Sequence, residues 1–468
     1  MAEEVEIAVV GAGPAGLSAA LEARRLGAEV LLIDEGAEPG GQYYMQPHTA
    51  AAEVRDSAQL AEGRALLAEA RGAGVRLLGG VQVWGFFQPM TLALIGPDGC
   101  FEIEPKRLIV ATGAHDRSLA FPGWTLPGVM TPGAVQRLIK AEAVGLGPRV
   151  VLAGSGPFLL VVARQLLEAG IEIAAYVESA RVTGSGLLGL ARRPGAWSEL
   201  GGYLRTLLQH RVPLHLGSAV VEAHGDKGLE SVAIAKLDRR GAPLEGEPKF
   251  VETSILAIAH GFRPACELTA IAGCAHGYDD RQGGRFCRVE RDTGRTSVED
   301  IFAAGEVTGI AGMRCAREEG RIAGLSAARS LGHWSRGAGW RLRWTRRQRR
   351  RAQAFADFVN TSFAPPAGLA GIISDDTLLC RCEDVRAGEV RAAVAAGART
   401  ATAVKMWTRC GMGPCQGRIC GWSLARTIAQ LSGQPLAEIG DNEPRIPIKP
   451  LPLGAIVAEE EAAGAAAE

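Results

Sequence analysis

The sequence predicts an α/β protein made of two parallel-sheet domains and a small helical domain rich in cysteine. Two strand–glycine turn–helix–strand units, at residues 6–34 and 149–178, carry the α/β expectation, because a parallel sheet needs a crossover helix between its strands. Five of the ten cysteines, Cys380, Cys382, Cys410, Cys415 and Cys420, crowd into about a tenth of the chain, and mark the third domain. A length of 468 residues agrees, since about 150 residues per domain suggests about three.

Composition narrows the class. Lys plus Arg and Asp plus Glu number 51 each, so the net charge is zero and nothing points to a nucleic-acid partner. The acidic start, Met1-Ala2-Glu3-Glu4, runs straight into a strand and lacks the basic, then apolar pattern of a secretory signal. The longest apolar candidate, Phe158 to Leu167, contains Arg164 and Gln165 and is too short to span a bilayer. A cytoplasmic location is expected, with any membrane role limited to peripheral association through an electron acceptor. In that compartment ten cysteines argue for metal or redox chemistry. Cys100, Cys266, Cys274, Cys287 and Cys315 are scattered and read as small buried hydrophobes.

The pattern divides the chain as follows. Residues 1–120 form the first part of one nucleotide-binding domain, and 121–250 form a second. Residues 251–335 return to the first domain, beginning with the apolar strand Val251 to Ala259. Residues 336–373 are an Arg-rich linker helix with Trp340 and Trp344 interleaved, closed by Pro365-Pro366, since proline cannot continue a helix. Phe355 and Phe358 are expected on its buried side. Residues 374–435 form the cysteine domain, with helices at Ala387–Ala396 and Ala401–Trp407. Residues 436–468 are a tail, extended and then disordered.

The first turn reads Gly11-Ala12-Gly13-Pro14-Ala15-Gly16 between the strand Glu6–Val10 and an apolar helix. Gly11 permits the tight turn, Gly13 lets a pyrophosphate approach the backbone, and Gly16 lets helix and strand pack closely. The pyrophosphate would rest on the helix N-terminus, where free N–H groups and the dipole favour an anion. A second strand ends in Asp34-Glu35, about 20 residues past the turn, where a carboxylate can accept ribose hydroxyls. The same charge would repel a 2′-phosphate.

The second turn, Gly154-Ser155-Gly156-Pro157-Phe158-Leu159, has leucine where the third glycine should stand. Leu159 should push the helix off its strand. Gly154, Gly156 and Glu178 could still hold a nucleotide (FMN, ATP or NAD), but a fast hydride-donor pose is disfavoured. The alternative is a domain kept for architecture and partner contacts.

Residues 1–330 resemble the glutathione-reductase-like flavoproteins. The matching pieces are the first turn, Pro39-Gly40-Gly41-Gln42, Ala111-Thr112-Gly113, and Ile301-Phe-Ala-Ala-Gly305-Glu306. The resemblance implies FAD at the first turn, lined by Gly41, Gln42, Thr112 and Gly113, with Gly305 and Glu306 reaching the ribityl chain and phosphate. Glu306 stands where aspartate is commoner. No closely spaced cysteine pair occurs before residue 380, so disulfide reduction is not expected.

A Cys-x-Cys at 380–382 and a glycine-rich Cys-x₄-Cys at 415–420 suit an iron–sulfur cluster better than the paired C-x₂-C knuckles of a zinc ribbon. Leu379-Cys-Arg-Cys-Glu-Asp-Val385 and Thr408-Arg-Cys-Gly-Met-Gly-Pro-Cys-Gln-Gly-Arg-Ile-Cys420 resemble the [2Fe–2S] domain of the bacterioferritin-associated-ferredoxin type. That resemblance implies Cys380, Cys382, Cys415 and Cys420 as ligands and leaves Cys410 as a fifth thiol. With Ala111-Thr-Gly-Ala-His-Asp-Arg117 and Phe121-Pro-Gly-Trp-Thr-Leu-Pro-Gly-Val-Met130, nearly the whole chain resembles the FAD/[2Fe–2S] α-type subunits of heteromeric dye-linked amine and amino-acid dehydrogenases. That group includes subunits of opine oxidase, hydrogen cyanide synthase, and the D-hydroxyproline and L-proline dehydrogenases. It implies an electron-transfer subunit whose partners are an amine-oxidising flavoprotein, which holds the substrate, and a small ferredoxin-like chain. Two other readings are a self-sufficient NAD(P)H-dependent reductase, which Leu159 disfavours, and a non-enzymatic ferritin-docking module.

Overall fold

The computed structural model describes residues 3–48, 58–181 and 194–455, the segment 194–200 by its backbone alone. The last part of the expected disordered tail, 456–468, lies outside the described residues. The chain forms two compact units, each assembled from separated segments. One comprises Met1–Ala114, Pro264–Ala356 and Glu443–Glu468, and the other His115–Arg263 and Asp357–Asn442.

The first unit begins with β1 (Glu3–Val10), α1 (Pro14–Arg25) and β2 (Val30–Ile33). Strands β3 (Arg76–Leu78), β4 (Gln82–Phe87), β5 (Thr91–Gly96) and β6 (Gly99–Val110) complete its N-terminal segment. The sheet order is β3–β2–β1–β6–β5–β4, and the late strand Ile301–Ala303 pairs with the end of β6. β1, β2, β3, β6 and Ile301–Ala303 run parallel, while β4, β5 and β6 form an antiparallel meander. Ile7, Ala8 and Val9 are fully buried in succession, as a parallel strand covered on both faces requires.

On one face α1 lies against the helix Gly312–Ser330, and the closeness of that contact depends on glycine. A Cβ on Gly320 would lie 2.0 Å from the carbonyl oxygen of Ala15, and one on Gly324 2.1 Å from that of Ala19. The turn that precedes α1 is thereby pinned to a helix encoded about 300 residues later. The C-terminal segment also rejoins this unit. Ile448 donates its N–H to the carbonyl of Trp84 (2.8 Å) and is buried among Val83 and Phe86.

The second unit holds a parallel five-stranded sheet in the order Leu214–Leu216, Glu172–Glu178, Arg149–Gly154, Ile255–Ala259, Val129–Met130. Beside it is an antiparallel sheet of Ser218–His224, Ser231–Lys236 and Lys249–Glu252. The cysteine segment builds helices at Ala387–Ala395, Ala401–Thr408 and Gly421–Ser432. Its core is shared: Leu379, Val390 and Trp422 cluster with Leu119, Ala219 and Leu237 of the nucleotide domain. The Trp124 indole N–H donates to the carbonyl of Leu378 (2.6 Å), and the Ala120 N–H to the Ser423 hydroxyl (2.8 Å).

Three sequence expectations are corrected. Ile255–Ala259 pairs with Arg149–Gly154 and so belongs to the second sheet, and the return to the first unit comes at Pro264. An apolar five-residue strand suits any buried parallel sheet, so its composition could not choose between the two. The tail from residue 436 is not one extended segment: Leu436–Ile439 is helical, and residues 443–455 dock on the first unit. In the Arg-rich helix Ala338–Ser362 the buried side carries Leu342, Thr345, Arg349 and Ala356, while Phe355 is exposed. Arg349 is drawn inward towards the buried carboxylate of Glu319 (3.9 Å).

Candidate functional site

The first turn has the mechanics its glycines imply. Gly11 sits at φ +101°, and a Cβ there would lie 2.4 Å from the Ala111 carbonyl oxygen. A Cβ on Gly16 would lie 1.7 Å from the carbonyl oxygen of Gly11, so only glycine lets α1 start so close to its strand. Gly13 differs. A Cβ there would meet nothing nearer than the Cα of Gly41 at 3.9 Å, so the protein alone does not demand glycine. Gly41, at φ +59°, comes close to Gly13 in turn. The two glycines form a bare-backbone cradle over the start of α1, whose N-cap has no side-chain hydrogen bond. Uncapped amide donors beside side-chain-free backbone are what an anionic pyrophosphate needs.

Asp34 closes this turn at the end of β2. Its carboxylate accepts from the N–H of Ala12 (2.5 Å) and of Gly36 (2.8 Å). Burial pushes its carboxyl upward, while those amides and the nearby Lys449 pull it back. Glu35 forms an ion pair with Lys449. The Thr112 hydroxyl donates to the carbonyl of Ala265 (2.8 Å), fixing the loop at the end of β6, and Gly113 sits at φ +74°. Gln42 is exposed on the Gly41 loop.

The Gly305-Glu306 turn is held by residues that motif reading missed. Gly305 donates its N–H to Glu319 (3.1 Å), and the Thr308 hydroxyl bonds both Glu319 (3.0 Å) and the Gly305 carbonyl (2.9 Å). Arg291 balances Glu319 at 3.3 Å. The Glu306 carboxylate accepts from the N–H of Gly312 (3.1 Å), the first residue of the following helix. Burial pushes both Glu306 and Glu319 upward. One of two adjacent glutamates, Glu318 and Glu319, inside an otherwise ordinary helix offers no sequence signal for this role.

At the second turn, the helix starts at Phe158, two residues after Gly156, whereas α1 starts at Pro14, directly after Gly13. Leu159 is accommodated by that shift and is buried in the core. Glu178 accepts from the N–H of Ala180 (2.9 Å) and Gly156 (3.3 Å), and burial pushes it up to about 7. The Ser155 hydroxyl donates to the carbonyl of Phe363 (2.6 Å), so a backbone segment already occupies the middle of this turn.

The cysteine segment gathers all five thiols. The sulfurs of Cys380, Cys410 and Cys420 lie within 4.8 Å of one another, all buried. Cys382, exposed, lies beside the half-buried Cys415, whose N–H also faces it. Cys410, expected as a spare, is therefore part of the buried trio. Hydrogen bonds from Cys410 and Cys420, then from the amides of Gly411 and Glu383, hold the Cys380 thiol far below its ordinary range. Sharing with Cys380 pushes Cys420 up. A Cβ on Gly413 would lie 2.3 Å from that of Cys382, so only glycine lets the loop come so near. The Asn442 side chain is buried against Gly411 and Gly417 with neither amide atom hydrogen-bonded. An all-sulfur donor set with converging amides and an unsatisfied amide at its edge fits a soft metal or an iron–sulfur cluster.

Residues 5–332 match the family described as pyridine nucleotide-disulphide oxidoreductase, and residues 375–460 match the sarcosine oxidase A3 domain. The chain is 33% identical over 456 residues to hydrogen cyanide synthase subunit HcnB of Pseudomonas aeruginosa, spanning 96% of this chain and 97% of that protein. It is 34% identical over 455 residues to an opine oxidase subunit of Rhizobium meliloti (strain 1021), with 96% and 97% coverage. Among solved structures, the L-proline dehydrogenase from P. horikoshii superposes with a TM-score of 0.72 at 20% identity, over 97% of this chain and 80% of that one. At that identity the likeness is one of fold. Among the described residues no helix is long and apolar enough to cross a membrane.

Proposed function

The chain belongs to the pyridine nucleotide-disulphide oxidoreductase family and is an FAD-dependent oxidoreductase, and from that premise we propose that it is the electron-transfer subunit of a heteromeric dehydrogenase or oxidase acting on an amine, amino acid or opine. The observation that carries this reading is the near full-length likeness to subunits of hydrogen cyanide synthase and opine oxidase in a chain that also gathers five thiols. Its partners would be an amine-oxidising flavoprotein and a small ferredoxin-like chain, as the resemblance implies. A cytoplasmic location goes with this reading, since cysteines gathered for metal or redox chemistry are typical of that compartment.

FAD would lie at the first turn. Gly11, Ala12, Gly13, Pro14, Ala15 and Gly16 would cradle its pyrophosphate, with Asp34 and Glu35 at the ribose and Gly41, Gln42, Thr112 and Gly113 along its length. Gly305 and Glu306 would line the ribityl end, positioned by Glu319. Cys380, Cys382, Cys415 and Cys420 would hold a [2Fe–2S] cluster, with Cys410 beside them. When bound, the flavin supplies two-electron chemistry and the cluster passes electrons on one at a time. The second turn, with Gly154, Gly156 and Glu178, is the weaker nucleotide candidate. Its serine hydroxyl is engaged by Phe363, and a carboxyl near 7 is only partly charged at neutral pH.

The test is turnover with and without a partner. The isolated chain should reduce dyes with no amine or amino acid at an ordinary rate (kcat about 1–10³ s⁻¹), and co-expression with an amine-oxidising flavoprotein encoded beside it should restore dye reduction. Ordinary turnover by the chain alone would sink the subunit reading.

A further inference from the structure

We propose that the C-terminal strap, residues 443–450, closes the ribose end of the first nucleotide site, and that Lys449 on it is a positioning residue for the bound nucleotide. The inference rests on the reading of the first turn as the FAD site.

The strap is fastened to the first unit at three points. Glu443 pairs with Arg285 (2.9 Å), Ile448 donates its N–H to the Trp84 carbonyl (2.8 Å), and Pro450 accepts through its carbonyl from the Gln82 amide (3.2 Å). Ile448 is buried in the core beneath β4. Anchored on both sides, Lys449 has little freedom in direction, and its ammonium reaches the end of β2. There it pairs with Glu35 and lies within electrostatic reach of Asp34.

The pairing with Glu35 does not by itself explain the arrangement. The Glu35 side chain is 62% exposed, and an ion pair to so exposed a carboxylate contributes little. The lysine side chain is only 29% exposed, so it is ordered and partly desolvated for that small return. The local charge changes when a nucleotide binds. Two adjacent carboxylates, Asp34 and Glu35, stand at the ribose position, and a pyrophosphate at the turn adds further negative charge. Lys449 places a cation beside these two carboxylates, adding to the pull that the Ala12 and Gly36 amides exert on Asp34. Nucleotide binding and strap docking should therefore be linked, and linkage is reciprocal: what the strap adds to nucleotide affinity, the nucleotide adds to strap order.

The test uses the full-length chain stripped of flavin. FAD is titrated by flavin fluorescence into the wild type, Lys449→Met, Lys449→Arg and Gly13→Val. Lys449→Met should weaken FAD binding at least about tenfold without lowering Tm in the absence of flavin, and Lys449→Arg should recover most of the loss. In hydrogen exchange, ADP should slow the Ile448 amide in the wild type, and FMN, which lacks the adenosine end, should not. Equal FAD affinity in Lys449→Met and the wild type, or equal protection by FMN and ADP, would overturn the strap proposal. Unaltered FAD binding by Gly13→Val would instead overturn the placement of FAD at the first turn.

Discussion

At the scale of single residues, the two glycines of the first turn should separate cofactor binding from stability. Gly13→Val puts its side chain into space the protein leaves open, with the nearest atom at 3.9 Å from the Cβ position. Flavin content should fall to near zero while Tm without flavin stays close to wild type. Gly16 is the contrast, since its Cβ would clash with backbone at 1.7 Å and the fold itself would suffer. Glu178 makes a prediction about pH. Burial raises its carboxyl to about 7 in the folded chain, above an unfolded value near 4.3. The folded state therefore binds the proton more tightly. Stability is highest below about pH 4.5 as far as this group is concerned, and declines as pH rises towards 7. The full loss is about 4 kcal/mol, from the difference in pKa at 1.36 kcal/mol per unit. Glu178→Gln should raise Tm at pH 8 and leave it nearly unchanged at pH 4.5. Equal shifts at both pH values would mean that the carboxyl is not buried as a proton-binding group. At this scale the sequence named the turn glycines and Asp34, because their roles follow from spacing. Glu319 and Thr308 were illegible because they hold the Gly305 turn from nearby positions that belong to no motif, and Lys449 because it reaches Glu35 across most of the chain.

At the scale of elements, the loop from Arg409 to Cys420 carries the sharpest test. Arg409 and Gln416 adopt left-handed backbone conformations, at φ +64° and +49°, and the loop folds the last three cysteines back on Cys380 and Cys382. The proposed [2Fe–2S] cluster would take four of the five thiols, and Cys380 and Cys420 belong both to the buried trio and to the set implied by resemblance. Serine at either should bleach the visible iron–sulfur spectrum. Cys410→Ala should keep the spectrum and its EPR signal. Loss of both in Cys410→Ala, with retention in Cys382→Ser, would transfer the ligand role to Cys410. Two helices of this segment, Ala387–Ala395 and Ala401–Thr408, were legible to within a residue, since their apolar spacing is local, while Gly421–Ser432 was not anticipated. The strand Ile255–Ala259 was placed in the wrong sheet, because strand composition reports burial and not partner.

At the scale of the molecule, the cysteine segment is not a detachable module. Its core continues into Leu119, Ala219 and Leu237, so residues 374–435 expressed alone should lack cooperative thermal unfolding by circular dichroism, even with iron and sulfide supplied. A sharp transition in that fragment would show an independent domain. The length suggested about three domains, whereas the chain gathers into two compact units and the cysteine segment shares its core with the second, because which segments share a core depends on contacts that no local pattern encodes. The same discontinuity governs the first sheet. The end of β6, Leu108, Ile109 and Val110, is fully buried, and one of its edges is covered only by Ile301–Ala303. A ribosome adding about 5–20 residues per second needs on the order of 10–40 s to deliver that covering strand. Throughout that interval the nascent chain carries an apolar parallel edge with no partner, an invitation to pair with other chains. Yield in the cell should therefore depend on holdase chaperones and on slow, cool expression, whatever the stability of the finished protein.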